Sequence, residues 1–405
     1  MTEESQPGHA TRETLERYQQ YVIGNYTRLP LVAVRGEGPY LWDADGKRYI
    51  DLFSGWAVTG LGHCHPRLVA AIREQAGKLI YMPNTWYTEP QGRLAEWIAT
   101  TGFGGKTFFC NSGAEANEAA IKLARIHTAK GKYKFITFEN SFHGRTFAAI
   151  TATAQPKYHQ GFQPLVPGFS YAPLNDLDAV EKLVDEETCA ILVEVVQGEG
   201  GVNIADPEWL RALRDLCDQR GMMLIFDEVQ TGVGRCGTWW GWQTAGVTPD
   251  IMTMAKQLGG GTAIGAMCAR PEVAASLVPG THASTFGGNP LAAAAGCAVF
   301  ETIRDENLLE NVAQMGAHAR QRFLELKQET PFIAEVRAVG LMIGVELAQN
   351  GASLVADCLR RGLHVNCTHN TVLRIMPPLN ITREQLDEGI DILADALRAW
   401  HPTSA

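Results

Sequence analysis

The sequence predicts an α/β fold: a large part built on a mainly parallel sheet, followed by a smaller α+β part. Three observations predict it. Between about residues 65 and 300, short apolar β-type runs alternate with helical patterns, as parallel strands joined by crossover helices do. The chain has 405 residues, too many for one ordinary domain and suited to a large α/β domain with a companion. Hydrophobic residues make up 45%, enough for a substantial core.

The elements follow in order. Residues 1–60 read as an arm contributing to the small domain. A helical stretch near 13–22 leads to runs at 30–34 and 40–43. The pair Asp45-Gly46 then marks a turn before 49–53, a hairpin pattern. Strands are expected at 107–110, 134–138, 190–196, 223–226, 251–255 and 264–269. Helices are expected at 114–130, 207–220 and 290–304. These belong to a large domain spanning 61–304. From 305 the pattern changes to a C-terminal small domain, 305–405. It opens on an amphipathic helix at 307–329, followed by strands near 332–347, 363–366 and 373–376. A last helix begins at Thr382, where Thr382-Arg-Glu-Gln385 has the capping-box form that satisfies amides at a helix start.

Composition excludes several classes. Charged residues are 20% and the net charge is -9, which argues against a nucleic-acid partner, since phosphate backbones want clustered Lys and Arg. The nine cysteines show no Cys-x-x-Cys spacing, as fits a reducing compartment. Met1-Thr-Glu-Glu-Ser-Gln-Pro-Gly carries acid where a secretory signal needs basic and then apolar residues. No apolar run is long enough to span a bilayer. The expectation is a cytoplasmic protein with no membrane partner.

The chemistry centres on Lys256 and Asp227. Each lies just past a short apolar run of the buried-strand kind. In an open parallel sheet such positions share one edge, where ligands bind. An amine and a carboxylate across one pocket suit pyridoxal phosphate: the lysine holds the aldehyde and the acid keeps the ring nitrogen protonated. An ordinary salt bridge at a sheet edge is the alternative. In Thr107-Phe-Phe-Cys-Asn111-Ser112-Gly113-Ala114 a strand meets a helix start. Free amides and the helix dipole there bind phosphate, unless Ser112 is simply an N-cap. Phe142 could stack on a ring and Arg145 clamp a carboxylate. His143 alone reads more simply as a satisfied loop histidine. Arg374 is a cation in an apolar strand and needs a partner, either a structural acid or an incoming carboxylate. Glu194 and Glu199 are pocket acids or a solvated turn. His63-Cys64-His65-Pro66 lacks further ligands at metal spacing, so no metal is expected. The glycines at 198–201 and 259–261 form no GxGxxG unit.

Taken together these motifs resemble the class III pyridoxal-phosphate aminotransferases of fold type I, which include acetylornithine, ornithine and 4-aminobutyrate aminotransferases. The ordered set Asn111-Ser-Gly-Ala-Glu-Ala-Asn117, Phe142-His-Gly-Arg145, Gln197-Gly-Glu199-Gly, Asp227-Glu-Val-Gln230-Thr-Gly, Lys256 and Ser284-Thr285-Phe-Gly-Gly-Asn-Pro290 carries the resemblance. It implies that Lys256 bonds the cofactor aldehyde and then shuttles the substrate proton. It implies that Asp227 pairs with the ring nitrogen, Gln230 contacts the ring hydroxyl and Phe142 stacks, with His143 in the cofactor-binding set. Ser112, Gly113 and Ala114 are implied to hold the phosphate, helped by Thr285 from the other subunit of a homodimer. Arg145 is implied to take the carboxylate distal to the amine. Arg374 takes that of 2-oxoglutarate, and Glu199 masks Arg374 otherwise. Tyr26, Trp56 and Ser284 fall on the substrate side.

The implied reaction moves the terminal amine of N-acetylornithine to 2-oxoglutarate. Ornithine, succinylornithine or another ω-amine donor is the near alternative. An aminomutase or a non-catalytic pyridoxal-phosphate-binding module is the distant one. Five positions depart from the pattern. Gln257 stands where a small residue commonly follows the lysine, Val195-Val196 replaces Pro-Ile, and Cys236 replaces threonine. Trp56 is bulkier than in many acetylornithine members and leaves the donor open.

Overall fold

The structure, a computed structural model, describes residues 9–401; the reading of residues 1–8 falls outside them. Its centre is a seven-stranded sheet in the spatial order Lys106–Cys110, Gly265–Ala269, Ile251–Met254, Met223–Asp227, Thr188–Val193, Lys134–Phe138, Phe169–Ala172. Gly265–Ala269 runs antiparallel to both neighbours, and the remaining pairs are parallel. The carboxyl ends of the other strands therefore share one edge. The strands are apolar and buried because helices cover both faces: every residue of Thr188–Val193 is buried.

Local chemistry sets the helix limits. Pro207–Arg220 starts at Asp206, whose carboxylate accepts from the Glu208 and Trp209 amides. It stops at Gly221, whose φ of 60° an L side chain would resist. Pro290–Asp305 starts at Asn289 in the same way. Gly113–His127 ends earlier than expected, because Thr128 turns extended.

Two strand expectations need correction. The run at 190–196 stays in the central sheet only to Val193, and Val196 belongs to a separate short strand, Val196–Gln197. The Glu194 carboxylate instead takes the Phe142 and Gly198 amides. Phe169–Ala172 carries no expectation; it is a short edge strand, half-covered, so its pattern is weak.

Two four-stranded sheets and a two-stranded pairing of Val196–Gln197 with Asn203–Ile204 complete the sheets among the described residues. Ala33–Glu37, Tyr40–Asp43 and Arg48–Asp51 form the expected hairpin region, and Leu363–His364 joins it beside Arg48–Asp51. Ile333–Val339, Met342–Leu347, Val372–Ile375 and Asn366–Thr368 form the other. The last helix, Arg383–Arg398, carries both halves of the Thr382/Gln385 capping box. No helix among the described residues is long and apolar enough to cross a membrane.

Candidate active site

Three strand ends deliver the central groups. Asp227 ends Met223–Asp227, Lys256 lies two residues beyond Ile251–Met254, and Ser112 lies two beyond Lys106–Cys110. All three line one cavity of about 450 Å³.

The Asp227 carboxylate is buried and fully engaged. Its Oδ2 accepts from Asn117 Nδ2 at 2.8 Å and lies 2.7 Å from His143 Nδ1. Its Oδ1 accepts from the Val229 amide at 3.0 Å. Asn117 also donates to the His143 carbonyl and accepts from Thr253 Oγ1, each at 2.7 Å. A buried carboxylate with this many donors is fixed in direction. The sequence reading gave Asn117 no role. The available signal was its place one helical turn after Gly113, on the same face.

Lys256 opens a short turn, Lys256–Gly259, with φ 47°, a left-handed conformation that non-glycine residues seldom adopt. Burial pulls its amine down to about 8. The Asp227 and Glu194 charges oppose that shift and Arg374 reinforces it. Among the described residues no hydrogen bond or ion pair holds the amine. The amine therefore gives up its proton far more readily than an ordinary lysine, and no partner ties it down, as a nucleophile or base requires.

The helix Gly113–His127 begins at the cavity wall. Ser112 is its N-cap, with Oγ accepting from the Glu115 amide at 3.2 Å, so the N-cap reading of this serine holds. The helix start still offers free amides beside it. Gly265 lets the neighbouring strand approach, since a Cβ there would sit 2.3 Å from the Ser112 carbonyl oxygen.

Glu194, left open between pocket acid and solvated turn, is a buried pocket acid. Burial first, and then the Asp227 charge, push its carboxyl up to about 7, against the His143 charge. Phe142 also lines the cavity, with Tyr158 edge-on at 5.8 Å. Arg145 is exposed and lies 4.0 Å from the Tyr158 ring centre. Arg374 is buried beyond them and pairs with Glu199 at 2.8 Å.

Among the described residues, two buried polar atoms at the cavity have no partner: His143 Nε2 and Gln230 Oε1. Such atoms cost about 1–3 kcal/mol each when left dry, so a polar ligand belongs there. The residue set fits pyridoxal phosphate. It offers an amine for the aldehyde, a carboxylate for the ring nitrogen, a helix start for the phosphate and an aromatic wall for the ring.

The profile of the family "Aminotransferase class-III" matches residues 21–397. This chain belongs to the class-III aminotransferases. Pyridoxal phosphate is the cofactor of that class. The acetylornithine aminotransferase of Caldanaerobacter subterraneus is 50% identical over 384 residues, covering 94% of this chain and 98% of that protein. The acetylornithine aminotransferase of Aquifex aeolicus is 48% identical over 93% of this chain and 100% of its own length. Among solved structures, the ornithine aminotransferase of Toxoplasma gondii superposes with a TM-score of 0.91 at 33% identity, covering 96% of this chain and 95% of that one.

Six residues implied by the resemblance do not line the Lys256 cavity of this class-III aminotransferase: Arg374 and its partner Glu199, and Thr285, Ser284, Tyr26 and Trp56. Thr285 is exposed and, with Ser284, lines a neighbouring cavity of about 330 Å³. That cavity shares Asn111 with the first. Tyr26 is exposed, with the Arg28 guanidinium 5.4 Å from its ring centre. Trp56 is half-exposed, and its carbonyl accepts from Gln230 Nε2 at 3.2 Å. Its side chain packs on Phe53 at 5.3 Å.

Proposed function

We propose that this class-III aminotransferase moves the terminal amine of N-acetylornithine to 2-oxoglutarate, giving N-acetylglutamate 5-semialdehyde and glutamate, a step of arginine biosynthesis. The observation that carries the donor is the 50% identity to an acetylornithine aminotransferase across nearly its whole length.

When bound, pyridoxal phosphate supplies an aldehyde for the amine and a ring that draws electrons from the carbon losing its proton. The chain's own residues do the rest. The Lys256 amine, its pKa lowered by burial, would take the proton from the donor's terminal carbon and hand it on. Asp227 would pair with the ring nitrogen, and Asn117 and His143 keep that carboxylate aimed. Gln230, whose Oε1 has no partner among the described residues, would meet the ring hydroxyl, and Phe142 would cover the ring. Ser112, Gly113 and Ala114 would hold the phosphate together with Thr285 of the partner subunit.

Arg145 takes the carboxylate distal to the donor amine. Arg374 takes a carboxylate of 2-oxoglutarate, and Glu199 neutralises it while the donor is bound. Tyr26, Trp56 and Ser284 lie on the substrate side. The enzyme acts as a cytoplasmic homodimer with shared sites. Its large domain spans 61–304, and 1–60 joins 305–405 in the small one; pairing of Leu363–His364 with Arg48–Asp51 supports that division.

Ornithine as donor is the second reading, favoured by the TM-score of 0.91 to an ornithine aminotransferase. A donor panel with 2-oxoglutarate, read as glutamate formed, decides between them. N-acetylornithine should exceed ornithine in kcat/KM by about tenfold or more, the scale on which one acyl contact discriminates. A higher kcat/KM for ornithine overturns the assignment.

A further inference from the structure

The His63-Cys64-His65-Pro66 motif takes no part in the chemistry above. Its two histidines serve different acids. His65 Nε2 lies 3.4 Å from Glu306, whereas His63 Nε2 lies 2.9 Å from Asp51 Oδ2. Among the described residues no three side chains gather as a metal site. Asp51 ends the strand Arg48–Asp51 and is 2% exposed. Its Oδ1 accepts from the Phe53 and Ser54 amides, both at 3.0 Å, and lies 2.9 Å from His364 Nδ1. Four donors thus converge on one buried carboxylate: two local amides, His63 twelve residues on, and His364 from the C-terminal part of the chain. Burial works against its charge, but the hydrogen bonds and charges of the two histidines outweigh burial and hold the carboxyl well below its usual range.

The amides that Asp51 binds open an unusual turn. Ser54, Gly55, Trp56 and Ala57 all have left-handed backbones, with φ of 50°, 58°, 62° and 65°. Three of the four are not glycine. Such residues persist in that region only where their surroundings over-determine them, and Asp51 is the anchor at the turn's start.

The turn reaches the active site by two routes. The Phe53 ring centre lies 5.4 Å from the Arg374 guanidinium and 5.3 Å from the Trp56 ring. The Trp56 carbonyl holds Gln230 Nε2, which leaves Gln230 Oε1 as the free buried atom.

We propose that Asp51 is a positioning residue of the dicarboxylate subsite, acting through the start of the Ser54–Ala57 turn on Phe53 and Arg374. This rests on the reading that Arg374 takes 2-oxoglutarate. Asp51 touches neither substrate nor cofactor. It sets the aromatic face on which the Arg374 guanidinium lies when Glu199 leaves it. Loss of that face should loosen dicarboxylates and leave the amine donor nearly untouched.

The test uses holoenzyme and glutarate, an inert dicarboxylate, with its Kd read by calorimetry beside KM and kcat for both substrates. Asp51→Ala should raise the glutarate Kd and the 2-oxoglutarate KM about tenfold, the scale of a desolvated cation–aromatic contact, while the donor KM moves by about twofold or less. Asp51→Asn keeps an oxygen for the turn amides and should recover to within about threefold of the parent. Phe53→Leu keeps the apolar volume but removes the ring face, and should reproduce the Asp51→Ala pattern. It carries the test alone if Asp51→Ala does not fold. Unchanged glutarate affinity in Phe53→Leu, or equal movement of both KM values in Asp51→Ala, overturns the proposal. Arg374→Ala separates the two layers. Glutarate binding that survives Arg374→Ala defeats the dicarboxylate reading itself. Binding lost there but unmoved by the Asp51 and Phe53 variants defeats only the positioning role.

Discussion

The Arg374 guanidinium lies 2.8 Å from the Glu199 carboxylate, and the Asn366 side-chain oxygen accepts from its Nε and second terminal nitrogen at 2.8 and 2.6 Å. Arg374 is buried in Val372–Ile375, a strand with no exposed residue. Stripped of Glu199 it would be an uncompensated buried charge, which is expensive. An incoming carboxylate that replaces Glu199 removes that cost, and a neutral or cationic substrate does not.

Arg374→Ala should therefore slow the 2-oxoglutarate half-reaction far more than the amine-donor half-reaction. Loss of one partner in a buried charged pair is worth roughly 2–5 kcal/mol. Stopped-flow absorbance follows each half alone. Equal damage to both would make Arg374 structural and end the switch assigned to Glu199.

Lys256→Ala should abolish the borohydride-reducible link to cofactor and nearly all turnover. Lys256→Arg is no rescue, because a guanidinium stays protonated. In the parent, the rate at which apoenzyme takes up cofactor covalently should rise as pH passes through about 8, where the amine loses its proton. The Glu194 charge favours the ammonium form, so Glu194→Gln should move that midpoint to lower pH. A midpoint that stays put or rises would remove Glu194 from the balance.

Asp227→Ala should retain cofactor through the helix start of Gly113–His127 yet lose proton abstraction. One well-aimed electrostatic group is typically worth about 10² to 10³ in rate. Near-normal half-reaction rates in this variant would exclude Asp227 as the ring-nitrogen partner.

Gln257→Met tests the unusual residue after the lysine. Gln257 Oε1 accepts from Arg235 at 3.2 Å, and its Nε2 donates to the Val233 carbonyl. Arg235 is fully buried, burial pulls its guanidinium down to about 10, and no carboxylate meets it among the described residues. Methionine keeps the volume but removes the acceptor of Arg235 Nη2, while Nη1 keeps the Leu341 and Pro377 carbonyls. The expected loss is about 1–3 kcal/mol of stability, read as a lower Tm. An unchanged Tm would show that Arg235 needs no acceptor there.

Heterodimers test the shared site. If Thr285 serves the partner's phosphate, a dimer of one Lys256→Ala subunit and one Thr285→Ala subunit holds one doubly damaged site and one intact site. Uncrossed contact leaves one lesion in each. Half of parental activity is the expected outcome, and near-zero activity contradicts crossing.

Much of this was legible before any coordinates. The strand at 134–138 and the helix at 207–220 fall where periodicity and end signals put them, because Asp206-Pro207 and Gly221 are local instructions. Phe169–Ala172 was not legible, since a short edge strand covered on one side leaves no clean alternation. The meeting of the Ser112 turn, Asp227 and Lys256 at one cavity was legible because each follows a buried-strand run, and strand ends of a parallel sheet must share an edge.

The sequence by itself determined which segments become strands and helices, and which reactive groups stand at their ends. Periodicity, caps and turns act over a few residues, so they are written locally. Tertiary structure alone decided the pairings. Asn117 with Asp227, Gln257 with Arg235, and Asp51 with His63 and His364 join side chains whose segments lie far apart in the chain. Burial then forces each polar group to take whatever partner the packed layers bring within reach. Which partner that is follows from how strands order and helices cross over, and no local pattern records it.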